Sequence, residues 1–134
     1  MNSRHWLAVA TGIVAIFLLL SGGIAAWTIG AVHQLEVIPG LPFTTAEDVA
    51  WAKSYLPVLY FLAAEGLLFG AAAVVAAWGV IGAKPWVRAT LFVTSVLLAF
   101  TAVVAIFVAP RQWDTQAVFI GFCVLLWWEA RRWP

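Results

Sequence analysis

The chain has 134 residues, of which 65% are hydrophobic and only 10% charged, with a net charge of +1 at pH 7; soluble domains carry about 45–50% apolar and about 25% charged residues. A water-soluble globule could not hide that much apolar surface, and the seven Lys and Arg are scattered rather than gathered into a basic stripe for nucleic acid. One cysteine, Cys123, excludes an intrachain disulfide and a Cys-based metal site built from this chain alone.

At about 20 residues per crossing, this length has room for four membrane crossings in one domain, residues 1–134. The first element starts with Arg4 and an apolar run from Leu7 to Leu20. Ser21-Gly22-Gly23-Ile24-Ala25-Ala26 follows, which together have the outline of a signal peptide with a small-residue cleavage site. The apolar run continues to Val32, so the segment is expected to remain as a first crossing over about 6–32.

The connection 33–54 is too polar for lipid. Pro39-Gly40 and Pro42 mark turns in it, and Thr44 with Glu47 three positions on has the form of a capping box opening a short helix through Ala50, Trp51 and Lys53. The second crossing is predicted over about 55–81 and is followed by Gly82. The third, about 86–109, is opened by Pro85 and ended by Pro110. The fourth, about 115–131, has Asp114 as its cap and the shortest apolar run, Thr115 to Trp128. The two short connections make the second, third and fourth helices antiparallel neighbours.

With the amino terminus inside, Arg4, Lys84, Arg88, Arg131 and Arg132 fall on the cytoplasmic side and only Lys53 and Arg111 outside, the asymmetry of the positive-inside rule. Trp6, Trp78, Trp86, Trp127, Trp128 and Trp133 then sit at the inner interface, and Trp27, Trp51 and Trp113 at the outer one. The expected fold is an all-α integral membrane protein of the plasma (inner) membrane. It is a multi-pass bundle of four transmembrane helices with both termini cytoplasmic and a short outer-surface helix in the first external loop.

Glu65 lies ten positions into the second crossing, about 10–15 Å deep, where an ionised carboxylate costs a few kcal/mol or more. Counting depth places Ser21, Thr101 and Cys123 in the same layer, and Thr90, Thr94 and Thr101 form one stripe of the third helix. The candidate ion or proton site is therefore Glu65 with Thr101, Thr94 and Ser21. The competing structural reading is a protonated Glu bonded to a hydroxyl or carbonyl that holds helices together. Small residues at Gly66, Gly70 and Ala73, and at Gly22 and Ala26, mark helix-packing faces, and a surplus face would suit a homo-oligomer or partner membrane subunits.

His5 and His33 bracket the first helix about 42 Å apart and cannot share a metal. Glu36, Glu47, Asp48 and Asp114 with His33 match no catalytic arrangement, and Glu129 beside Arg131 and Arg132 reads as an ordinary solvated helix end. No catalytic residue, cofactor or metal is expected, and bound lipid is. Four short helices with one embedded acid resemble the small multidrug resistance exporters, whose acid stands on the first helix; here Trp6 to Val32 contains none. Sparse chemistry and abundant packing surface point to a non-catalytic accessory or scaffold subunit of a membrane complex. The alternative is a small dimeric proton-coupled transporter or channel titrating at Glu65.

Overall fold

The computed structural model describes residues 3–42, 44–110 and 113–133. All the regular structure among them is helical: α1 (Ser3–His33), α2 (Ala46–Ser54), α3 (Leu56–Ile81), α4 (Val87–Val108) and α5 (Trp113–Arg132). Three stretches are long and apolar enough to cross a membrane, Arg4–His33, Ala46–Ile81 and Val87–Val108. The protein is thus a membrane protein in composition and helix length.

The fourth expected crossing is not among those three. In α5, Asp114 and Gln116 stand near one end and Glu129, Arg131 and Arg132 at the other. Between them Ala117 to Trp128 spans only about 18 Å at 1.5 Å per residue, well short of a hydrocarbon layer of about 30 Å.

The four long helices pack side by side in two close pairs, α1 with α3 and α4 with α5; α3 meets α4 more sparingly, and the α1–α5 seam is the thinnest. The α1–α3 pair is joined by the long connection rather than by a short turn, so chain proximity does not dictate it. Small residues do: a Cβ placed on Gly66 would lie 2.6 Å from the Gly22 nitrogen and the Leu18 carbonyl oxygen, and one on Gly70 would meet the Leu19 side chain at 2.8 Å. Backbone meets backbone here, the close approach that glycine permits between membrane helices. Ala73 continues the face and is buried, but Ala26 is exposed; Ala25 takes its place beside Leu62 and Ala63. The face on α1 runs Leu18, Gly22, Ala25, and a step of four from Gly22 overshoots it.

A core of Val14, Leu18, Leu91, Leu98 and Leu126, all at 1% exposure or less, fills the centre between the two pairs. The large apolar side chains of the opposite faces point outward, Ile16, Leu20, Ile24, Phe100 and Phe107 among them. An exposed apolar surface of that extent requires a nonaqueous surround.

Two caps differ by one residue from the sequence reading. The capping box of α2 is Thr45 with Asp48: the Thr45 hydroxyl donates to the Asp48 carboxylate at 2.6 Å and accepts from its amide at 3.2 Å. The Thr44 hydroxyl instead lies 2.9 Å from the Leu41 carbonyl oxygen, to which it donates, with the Ile38 carbonyl oxygen at the longer distance of 3.1 Å. α2 then runs on into α3 with only Tyr55 between them and Pro57 in the first turn of α3, where a missing N–H costs nothing.

At the other end of α3 the left-handed residue is Ala83 (φ 50°), not Gly82. The Lys84 amide donates to the Gly79 carbonyl at 2.9 Å and the Ala83 amide to that of Val80, the paired bonds of a Schellman turn. A Cβ on Gly79 would strike Trp86 and Val87, so α3 and α4 are clamped together at this turn. Their far ends part around a cavity of about 270 Å³, lined by Pro57, Phe61 and Leu62 of α3, Ala105 and Val108 of α4 and Gln116 of α5.

Candidate functional site

Glu65 is on the buried stripe of α3 that runs Leu62, Glu65, Phe69, Ala73, Ala76 and Val80, so helix periodicity turns its side chain inward at 4% exposure. The partner that meets it there is Gln116, in the first turn of α5 and fully buried: its Nε2 donates to Glu65 Oε1 at 3.1 Å. The Thr101 side chain also reaches the carboxyl, while its hydroxyl donates to the Leu98 carbonyl at 3.0 Å. Cys123 is buried on the same face of α5 as Gln116, two turns along.

Of the residues expected around Glu65, Thr101 is therefore beside it, and Cys123 is on the face of α5 that brings Gln116 to it. Ser21 is half-buried and no bond joins it to the carboxyl among the described residues. Thr94 is buried two turns along α4, about 10 Å nearer the terminal end, with Ser95 beside it. The His33 Nε2 is 2.9 Å from the Tyr60 hydroxyl. Among the described residues no three His, Cys, Asp or Glu side chains stand together as a metal site.

Gln116 and Glu129 are the two residues that sequence reading passed over. Glu129 reads from sequence as a solvated helix end and Gln116 falls unremarked within the run Thr115 to Trp128, yet Gln116, Phe119, Cys123, Leu126 and Ala130 recur at steps of three and four, which is one face of α5. Glu129, three beyond Leu126, shares that face and is 0% exposed. Its Oε2 is 2.6 Å from the hydroxyl oxygen of Thr11 on α1. Arg131 and Arg132, its expected company, turn away and lie over the rings of Trp127 and Trp128, at 4.7 and 3.9 Å from the centroids. No known protein helps to interpret this pair of sites. The chain matches no family model, no curated protein and no solved structure.

Among the described residues three buried side-chain oxygens have no hydrogen-bond partner: Glu65 Oε2, Gln116 Oε1 and Glu129 Oε1. Each such orphan costs about 1–3 kcal/mol. The first two belong to one contact, and their chemistry is complementary. An ionised Glu65 has only acceptors, so the carbonyl of the Gln116 amide finds no donor in it. A proton on Glu65 Oε2 supplies that donor, and a carboxylic acid and a carboxamide then form a two-bond cyclic pair after a small rotation. One proton satisfies two orphans.

The site is also connected to the outside of the core. Gln116 lines the cavity between the parted ends of α3 and α4, whose other walls are apolar. One hydrogen bond separates that cavity from the carboxyl.

Proposed function

We propose that this protein is a small proton-coupled carrier or channel of the plasma membrane. In this reading it is a four-helix bundle in which α5 crosses a locally thinned bilayer in spite of its short apolar stretch, which puts both termini on the cytoplasmic side, and Glu65 is the residue that takes up and releases the proton. The observation that carries the reading is the Glu65–Gln116 contact, buried and with no cation paired to it among the described residues, whose unpaired oxygens are complementary only when the carboxyl holds a proton. Gln116 links the contact to a cavity that, in this topology, opens in the outer half of the membrane between α3 and α4. Thr101 borders the carboxyl, and Thr94 with Ser95 continues the polar groups toward the inner side.

The test is proton flux into vesicles of purified protein with a trapped pH indicator and an imposed membrane potential. Wild type should conduct and Glu65→Gln should not, although Gln keeps the fold: an amide at 65 forms the same two-bond pair with Gln116 and cannot titrate. Wild-type flux no greater than that of empty vesicles, or flux retained in Glu65→Gln, would sink the proposal.

A second reading, an accessory or scaffold subunit that packs against partner helices or another copy of itself, is supported by a different face. Gly22, Gly66 and Gly70 are spent on the α1–α3 contact, whereas Gly23 and Gly30 have open space around them and Ala26 between them is exposed. Native mass spectrometry after gentle extraction separates a partner subunit from the carrier: fixed stoichiometry with larger proteins favours the subunit and a lone chain the carrier, while in a homodimer the loss or retention of flux in Glu65→Gln decides.

A further inference from the structure

The contact between Thr11 and Glu129 can be read by counting hydrogens. The Thr11 oxygen lies 2.8 Å from the Leu7 carbonyl oxygen, one turn back on α1, and 2.6 Å from Glu129 Oε2 on α5. Both distances are those of O–H···O bonds, yet a hydroxyl has one hydrogen, and a carbonyl and an ionised carboxylate are acceptors only. With Glu129 ionised, one of the two short oxygen–oxygen contacts has no hydrogen in it and is repulsive. With a proton on Glu129 Oε2 the count closes: Glu129 donates to Thr11, and Thr11 donates to Leu7. All three residues are buried, and Thr11 and Glu129 are at 0% exposure.

No charge nearby offers the ionised form another support. On α1, Arg4 and His5 are exposed. On α4, Arg88 is exposed and lines an open cleft with Arg131 rather than the core. Lys84, in the turn before α4, lies over the Trp78 ring. Arg131 and Arg132 of the same helix lie over tryptophan rings. Among the described residues no cation pairs with Glu129, and its Oε1 has no partner.

We infer that Glu129 and Thr11 form a second proton-binding site, in which Glu129 is a neutral carboxylic acid donating to the Thr11 hydroxyl. It stands about 20 Å from the Gln116 end of the first site along α5, and its hydrogen count is independent of the role given to Glu65. Because the α1–α5 seam is thin, with the Phe17 and Phe122 rings 5.9 Å apart as its other contact, this hydrogen is a principal tie between the two helices. Release of the proton leaves a buried anion that competes with the Leu7 carbonyl for the single Thr11 hydrogen and loosens the seam, so proton occupancy and closure of α5 onto α1 are one equilibrium.

Infrared spectroscopy of the purified protein reads the state directly, since a neutral carboxylic acid has a carbonyl stretch distinct from the bands of a carboxylate. In Glu65→Gln the neutral-acid band that remains at neutral pH is expected to disappear when Glu129→Gln is added. In Thr11→Val the same band should shift toward a free acid, because its acceptor is gone. Stability supplies a second readout. An unfolded Glu is ionised at neutral pH, so a site that holds its proton only in the folded state loses stability as pH rises. Wild type should lose melting temperature on going from neutral to alkaline pH more steeply than Glu129→Gln, while the two melt alike at neutral pH. Absence of a neutral-acid band in Glu65→Gln, or a band unmoved by Thr11→Val, overturns the assignment. If Glu129→Gln does not fold, the Thr11→Val shift decides.

Discussion

Placing a methyl group between α1 and α3 tests what holds the closest pair of helices together. In Gly66→Ala the new Cβ would lie 2.6 Å from two backbone atoms of α1, about 0.8 Å inside the 3.4 Å at which ordinary contact begins. Neither atom is a flexible side-chain tip, so the helices must part. A gap of that size forfeits a quarter to a half of the dispersion energy of each contact across the face, and overpacking of this kind costs about 1–3 kcal/mol. Against this stands a gain of up to about 1 kcal/mol from the better helix propensity of alanine, leaving a net loss of about 1 kcal/mol, and about 2 kcal/mol at the upper end of the overpacking cost. Gly23→Ala is the matched control on the same helix pair: nothing lies within 4 Å of its Cβ, so only the gain applies. Reversible unfolding of both variants in mixed detergent micelles measures the difference. If Gly66→Ala proved as stable as Gly23→Ala, the direct backbone contact between α1 and α3 would be refuted.

Two other substitutions probe local features. Ala83 holds a left-handed conformation (φ 50°) that costs an L-residue roughly 1–2 kcal/mol, so Ala83→Gly should raise stability by about 0.5–1 kcal/mol after its greater unfolded-state entropy is subtracted, read as a higher melting temperature. Gln116→Leu removes the amide that donates to Glu65 Oε1 and should cost about 1–3 kcal/mol, whereas Gln116→Glu leaves acid facing acid and should make stability fall steeply as pH rises.

The helical character of the chain and its three long apolar stretches were legible because both are properties of consecutive residues: a run such as Leu91 to Val108 carries its own signal. The pairing of α1 with α3 was not, because Gly22 and Gly66 are separated by the whole 34–55 connection and small residues mark a face without naming its partner. Ala26 shows the limit of spacing rules, since Ala25 and Ala26 differ by 100° around the helix and only one can face α3. Thr44 and Thr45 both begin an acceptable capping box; the carbonyls of Ile38 and Leu41, placed by the turn before the helix, claim Thr44 and leave Thr45 to the cap. Glu65 stood out as an acid amid apolar neighbours. Glu129 did not, because Arg131 and Arg132 follow it, and only the three-and-four recurrence from Gln116 to Ala130 betrays that its side chain turns inward while theirs turn out.

The short apolar stretch of α5 has a consequence for the lipid around the protein. On one flank α1 presents apolar side chains from Trp6 to Trp27, long enough to match a full hydrocarbon layer. On the other, Ala117 to Trp128 offers about 18 Å, with its last turn fixed to the interface by tryptophans under arginines. A bilayer meeting both flanks must thin beside α5 at a cost of fractions of a kcal/mol per Å of mismatch. In the four-crossing arrangement proposed above the lipid annulus would be lopsided, and short-chain lipids should gather along α5, where their presence would relieve the strain that longer chains impose.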